Sequence, residues 1–128
     1  MENSRSNKVL VAGVGMVKFT KPGKREMYDV MGAQAIASAL KDAGIQYDQV
    51  QQAYAGFVSG DTCSGQTALY HAGLTQIPII NVNNACASGS SALFLARQAV
   101  MSGVVDVALA VGFEQMNPGA LAGSDAAA

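Results

Sequence analysis

The sequence predicts an α/β fold, a mostly parallel sheet flanked by helices. Three observations predict it. Short apolar runs recur at 8–14, 53–59, 77–82 and 104–112. Between them lie stretches with helical spacing, the clearest at 28–43 and 86–101. Glycines or prolines mark most of the junctions, as turn residues do. Strands that alternate with helices are joined by crossovers and lie parallel, and ligands of such sheets gather at the carboxyl ends of the strands.

The elements follow in order. Residues 1–7 (MENSRSN) form a polar leader without an apolar signal core. Lys8–Val14 (KVLVAGV) is Val-rich and reads as a buried first strand. Gly13-x-Gly15 follows, but a dinucleotide-binding turn needs a third glycine where Lys18 stands, so these read as turn glycines at a strand end. Phe19–Glu26 is a loop around Pro22-Gly23. With Lys18 beside it, the stretch gathers Lys21, Lys24 and Arg25, a local positive charge open to two readings: a solvated loop, or a contact for the phosphates of an acyl carrier. Tyr28–Ala43 is an amphipathic helix with Ala33, Ile36, Leu40 and Ala43 on one face, Asp29 in its first turn and Gly44 as its stop. Tyr47–Gln52 reads as a polar connection, Ala53–Ser59 as the second strand, Gly60–Gly65 as a turn holding Cys63, and Gln66–Ala72 as a short helix.

Pro78 opens the third strand, at a position where proline is tolerated. The chain then turns through Asn83, Asn84, Ala85 and Cys86 into a helix from about Cys86 to Met101, with Leu93, Leu95, Ala96, Ala99 and Val100 available to pack on the sheet. Val104–Gly112 is a nearly continuous apolar strand, as expected when both faces are covered. Residues 117–128 are rich in Gly, Ala and Ser and read as a loose tail. Residues 8–116 are thus the folded part.

Composition narrows the functional classes. Of 128 residues, 50% are hydrophobic and 13% charged, about half the ~25% charge of an ordinary soluble domain, so the fold is expected to bury surface against a second domain or subunit. The net charge is −1 and the basic residues form no stripe, which gives nucleic-acid binding no support. The most apolar stretch, 104–113, contains Asp106 and is too short to span a bilayer, so no membrane anchor is expected. Two cysteines make no disulfide framework and point to a reducing compartment, and with one histidine they make no metal site.

The residue that invites chemistry is Cys86. A strand–turn–helix junction leaves the turn residue facing out of the sheet, beside helix N–H groups that favour a thiolate. Small residues Ala87, Ser88, Gly89, Ser90 and Ser91 leave room beside the sulfur. A lone cysteine is otherwise a small core residue. Asn83 and Asn84 are suited to bracing the turn by side-chain hydrogen bonds. Cys63 reads as structural, and His71, beside Tyr70 in a short helix, as a structural histidine available for a subunit contact. Glu114 follows the fourth strand and reads as a hydrogen-bonded carboxylate. Cys86, Gly112 and Glu114 all follow strand ends and are expected on one rim.

The order Asn84-x-Cys86-x-Ser88-Gly89 resembles the nucleophile motif of the thiolases. Val14-Gly15-Met16-Val17-Lys18-Phe19, Lys21-Pro22-Gly23, Gly65-Gln66, Tyr70-His71, Ile77-Pro78-Ile79-Ile80-Asn81-Val82-Asn83-Asn84 and Gly112-Phe113-Glu114-Gln115-Met116 are similar to the N-terminal part of sterol carrier protein 2-type 3-ketoacyl-CoA thiolases, in collinear order from Lys8 to Met116. The resemblance implies a thiolase-like fold of which this is an incomplete N-terminal half. It implies Cys86 as the acyl-accepting nucleophile, with Asn83, Asn84, Ser88, Gly89 and Glu114 in support of its turn. It implies acyl-CoA and coenzyme A as substrates, no further cofactor, a homodimer for the complete protein, and peroxisomes as the eukaryotic location. The chain ends without a Ser-Lys-Leu-type address, which leaves the cytoplasm open. The family's base, a His of a Gly-His-Pro segment, its second Cys and its oxyanion donors belong to a second half and are not among these residues. Two alternatives stand beside the thiolase reading: a non-catalytic fragment or short isoform that pairs with a full-length subunit, and another condensing enzyme of the superfamily.

Overall fold

The structure, a computed structural model, describes residues 8–24, 26–117 and 119. The expected leader, and all of the expected tail but residues 117 and 119, lie outside the described residues. The described residues form helix α1 (Tyr28–Ala43), a short 3-10 turn (Tyr47–Gln49), strand β1 (Gln52–Gly56), helix α2 (Ser64–Leu69), strand β2 (Ile79–Val82), helix α3 (Ser88–Met101) and strand β3 (Ala108–Gly112). The three strands make a parallel sheet in the order β2-β1-β3. The α/β expectation is met, and the helices cover both faces.

Alternation along the strands sorts side chains between those faces. Ala53 and Ala55 of β1 and Leu109 and Val111 of β3 join Ile36 of α1, Leu69 of α2, Tyr47 and Val50 in one core cluster. On the other face the strands carry Gly56, Ala108, Ala110 and Gly112, and α3 answers with buried Ser88, Ala92 and Ala96. Small residues on both surfaces bring helix and sheet close. That selects a different packing stripe from the expected one: Leu93 is 58% exposed, and Ala92 takes its place against the sheet.

Helix α1 has the expected bounds. Gly44 ends it with φ 70°, and its N–H reaches the carbonyls of Leu40 and Lys41. The stretch from Tyr47 is more than a polar link, because Tyr47 and Val50 are both buried under a turn fixed by the Gln46 N–H donating to Gln49 Oε1 at 2.9 Å. The first expected strand is the main correction. Residues 8–14 pair with no strand among the described residues. Both edges of β1 are taken by β2 and β3, and the N-terminal run lies along α1 instead. Gly13 and Gly15 permit this: a Cβ there would stand 2.5 Å from Ala43 N and 2.4 Å from Ala35 O. They are therefore close-approach glycines against a helix, not turn glycines. The Val14 N–H donates to Asp42 Oδ2 at 2.8 Å, and Leu10, Val11, Val14 and Met16 remain exposed. The last strand begins at Ala108, later than expected, because Asp106 and Val107 give their N–H groups to the side chain of Gln51.

Candidate active site

The carboxyl ends of all three strands meet the start of α3. A Cβ on Gly56 would lie 2.4 Å from Ser88 O, and one on Gly112 would lie 3.4 Å from the Cα of Gly89. Cys86 is exposed on the turn that enters this helix, two residues before its first residue. The turn is tight: the Ala87 N–H donates to Asn84 O at 3.0 Å and the Ser88 N–H to Ala85 O at 3.2 Å. Ala85 sits in the left-handed region at φ 49°.

Side chains fix that conformation. Asn83 Oδ1 accepts the Ala85 N–H at 3.0 Å. Asn84 donates twice, from its backbone N–H to Ser88 Oγ and from Nδ2 to Ser91 Oγ, both at 2.8 Å. The Ser88 hydroxyl donates to Ala85 O at 2.8 Å, so this buried side chain ties both flanks of Cys86 together. Gly89 touches the end of β3 through Gly112. The thiol is thus carried on a tight, open turn two residues before α3.

Glu114 is placed differently. Its Oε2 accepts the Val58 N–H at 3.0 Å and its Oε1 the Ser59 N–H at 2.8 Å. It holds the loop after β1 and has no hydrogen bond to the Cys86 turn. That loop and the end of β2 enclose a recess of about 260 Å³, whose walls include Phe57, Val58, Asp61, Thr62, Val82 and Asn83. The neighbours of Glu114 complete the frame. Phe113 stacks between Phe57 (centroids 5.2 Å) and Tyr28 (5.3 Å). Gln115 Oε1 accepts the Tyr28 N–H at 2.8 Å. Residues 112–115 therefore tie the start of α3, the loop after β1 and the start of α1 to one rim. Sequence reading placed Gly112 and Glu114 on this rim but not the stack; the aromatic spacing of Phe57 and Phe113 at two strand ends was the available signal for it.

The remaining candidates lie apart. Asn81 bridges β2 to α2, accepting the Gly65 N–H at 2.8 Å and donating to Gln66 Oε1 at 2.8 Å. Cys63 is exposed just before α2. His71 Nε2, in the turn after α2, lies 2.9 Å from Asp29 Oδ2 and clasps the end of α2 to α1. The hydrogen bond with His71 holds the Asp29 carboxyl below its ordinary value, against the opposing effect of desolvation. Burial pushes the Tyr47 phenol up. Among the described residues no group of three His, Cys, Asp or Glu side chains could hold a metal ion, and no helix is long and apolar enough to cross a membrane.

The family model for the thiolase N-terminal domain matches residues 9–125. The chain belongs to the thiolase family. This thiolase N-terminal domain is 54% identical over 116 residues to the non-specific lipid-transfer protein-like 2 of Caenorhabditis elegans, covering 89% of this chain and 28% of that protein. It is 54% identical over 118 residues to sterol carrier protein 2 of Bos taurus, covering 91% of this chain and 22% of that protein. The chain therefore spans about a quarter of the length of these relatives. Among solved structures, 3-oxoacyl-[acyl-carrier-protein] synthase III of Aquifex aeolicus superposes with a TM-score of 0.68 at 17% identity, over 80% of this chain and 34% of that one. That likeness concerns the fold, and it agrees with the partial thiolase-like architecture described above.

Proposed function

We propose that Cys86 is the acyl-accepting nucleophile of a thiolase-type acyltransferase that cleaves 3-ketoacyl-CoA, with coenzyme A as substrate and no resident cofactor. The observation that carries the reading is the exposed Cys86 on a turn locked by Ser88, inside the thiolase-domain match. In the degradative direction the Cys86 thiolate attacks the 3-keto carbon. The bond between the α-carbon and that carbon breaks, and the leaving enolate takes a proton to become acetyl-CoA or propionyl-CoA. A second coenzyme A thiol attacks the acyl-cysteine, releases the shortened acyl-CoA and restores the thiol, so one difficult step becomes two easier ones. The only histidine, His71, is engaged with Asp29, so the proton acceptor and the oxyanion donors come from thiolase residues outside these 128. The complete enzyme is a homodimer working in β-oxidation of fatty-acid or sterol side chains, in the peroxisome or, for a form without the address, the cytoplasm.

The test is intact-mass measurement after incubation with an acyl-CoA, with Cys86→Ser as control, alone and with a separately expressed thiolase second half. A Cys86-dependent adduct supports the reading, and its dependence on the added half shows where the base resides. No adduct under either condition overturns it. That result favours a second reading, a non-catalytic chain that pairs with a longer subunit. The apolar side chains left open on α3, Leu93 and Phe94 (58% and 56% exposed), are the observation in its favour.

A further inference from the structure

Two stretches of this sequence, Gly65-Gln66 and Ile77–Asn84, meet in the fold through one side chain, Asn81. Alternation along β2 turns Asn81, with Ile79, to the face that carries α2. Asn81 Oδ1 accepts the Gly65 N–H at 2.8 Å, one of the donors that the first turn of α2 leaves unpaired. Asn81 Nδ2 donates to Gln66 Oε1 at 2.8 Å, and Gln66 Nε2 donates in turn to Ile79 O at 3.2 Å. A backbone group stands at each end of this relay, so each amide has a single orientation that satisfies it. The fit is close: a Cβ on Gly65 would stand 2.4 Å from Asn81 Oδ1 and 2.7 Å from Ala55 Cβ. The strand needs such a hold. It is an edge strand of four residues, paired on one side only, with β1. The turn that carries Cys86 follows it at once. Val82 O accepts the Phe57 N–H at 3.2 Å, and Asn83 Oδ1 accepts the N–H of Ala85, the residue before Cys86, at 3.0 Å.

We infer that Asn81 is a positioning residue for the nucleophile: its amide, held by Gln66 and Gly65, fixes the end of β2 and so where the turn of residues 83–88 presents Cys86. The inference rests on the acyltransferase reading of Cys86. Its own contacts lie outside the turn, so Asn81 acts on the thiol only through the strand. Backbone pairing with β1 holds that strand along one edge, and the amide relay holds its face. The relay needs both functions of the Asn81 amide. A carboxylate in its place sets oxygen against Gln66 Oε1, and turning the Gln66 amide over to relieve this sets Oε1 against Ile79 O. A protonated carboxyl restores the pattern, because its O–H donates to Gln66 Oε1 while its carbonyl accepts the Gly65 N–H.

The test compares Asn81→Asp, Asn81→Leu and Ile36→Val with the parent, all in a Cys63→Ser background. Ile36 is buried in the core away from the relay and supplies a destabilised control. The readouts are Tm, hydrogen exchange at the Ala85 amide, and the rate of Cys86 with dithiodipyridine, which reacts with thiols into the acid range. Each is taken as a ratio to the parent at the same pH. The relay holds no titratable group, so a change of ratio with pH in Asn81→Asp belongs to the introduced carboxyl. At neutral pH, Asn81→Asp and Asn81→Leu should exchange at Ala85 about ten-fold faster, and their Cys86 rate should depart from the parent about three-fold or more. In acid, Asn81→Asp should return to the parent on both readouts and Asn81→Leu should not. Ile36→Val should lower Tm and leave both ratios at one. Parent-like ratios in Asn81→Asp at neutral pH, the same departure in Ile36→Val, or no return in acid overturns the inference. A parent that acyl-CoA never labels, even with the thiolase second half, sinks the acyltransferase reading, while an acid-reversible response of the thiol keeps Asn81 as the group that places it.

Discussion

Gly56→Ala is the sharpest perturbation of the proposed nucleophile turn that leaves every reactive group in place. The added Cβ would stand 2.4 Å from Ser88 O, 2.6 Å from Ser88 C and 2.9 Å from Gly89 N, where ordinary contact begins at 3.4 Å. All three are backbone atoms, so no side chain can swing aside, and the start of α3 must retreat by about 1 Å. Overpacking of this kind costs about 1–3 kcal/mol, and a rigid backbone neighbour puts it at the upper end. Alanine in place of glycine in a strand returns about 0.5–1 kcal/mol of conformational entropy. The net loss is about 2 kcal/mol, a fall in Tm of about 5–10 °C for a chain of this size. The retreat moves Ser88, whose hydroxyl holds Asn84 and Ala85, the two residues before the thiol, at 2.8 Å. The alkylation rate of Cys86, read in a Cys63→Ser background, should therefore change as well. Gly89→Ala is the paired control. A Cβ there meets nothing within 4 Å, and the helical position gains about 0.5–1 kcal/mol from alanine. Thermal melts of the two variants should move in opposite directions. A Gly56→Ala chain that melts with the parent and alkylates at the parent rate would refute the close seating of α3 on the strand ends.

Ala85→Gly should stabilise the chain: relief of the left-handed φ of 49° is worth about 1–2 kcal/mol and the added freedom of the unfolded chain costs about 0.4–1, a net gain read as a Tm rise of a few degrees. Glu114→Gln leaves a single acceptor oxygen for the two N–H groups of Val58 and Ser59; about 1–3 kcal/mol should be lost, with hydrogen exchange accelerating at those two amides first. Asp29→Asn tests the α1–α2 clasp by its pH dependence. Because the His71 contact depresses the Asp29 carboxyl in the folded chain, its contribution is present above the unfolded value of about 3.9 and is lost as pH falls through the lower folded value. The Tm gap between parent and variant should therefore exist at about pH 6 and close in the acid range, and a gap independent of pH would refute the clasp.

The elements that were legible in the sequence are those whose signal is local. Helix α1 carries its own apolar face and its own stop at Gly44, and the structure keeps both bounds. The parallel sheet followed from apolar runs separated by helical spacing. The N-terminal run shows where this fails. KVLVAGV has the composition of a strand, yet a strand exists only with a neighbour, and no periodicity states that both edges of β1 are already filled. Its glycines signalled a turn by the same local logic, whereas their role is set by Ala35, Ala39 and Ala43, twenty or more residues away. The stripe on α3 fails for a related reason: Leu93 is the more apolar residue, but the small Ala108, Ala110 and Gly112 opposite bring helix and sheet close, and Ala92 faces the sheet instead.

The candidate site divides along the same line. The locking of the Cys86 turn spans residues 83–91, a distance over which asparagine and serine side chains act on their own backbone; residue type named Asn83 and Asn84, the family motif named Ser88, and Ser91 read only as a small neighbour. The support of the rim is long-range. Glu114 acts across 55 and 56 positions on Ser59 and Val58, and Gln115 across 87 on Tyr28. These contacts do not touch the thiol; they fix the loop after β1 and the start of α1. The consequence for the candidate site is a division of labour that can be separated by experiment. Ser88→Ala should loosen the turn and alter Cys86 alkylation with little change at Val58 and Ser59. Glu114→Gln should free those two amides while leaving the turn bonds of Ser88 intact. If both variants instead produce the same pattern of exchange and the same thiol rate, the rim is one cooperative unit, and the local lock around Cys86 has no independent existence.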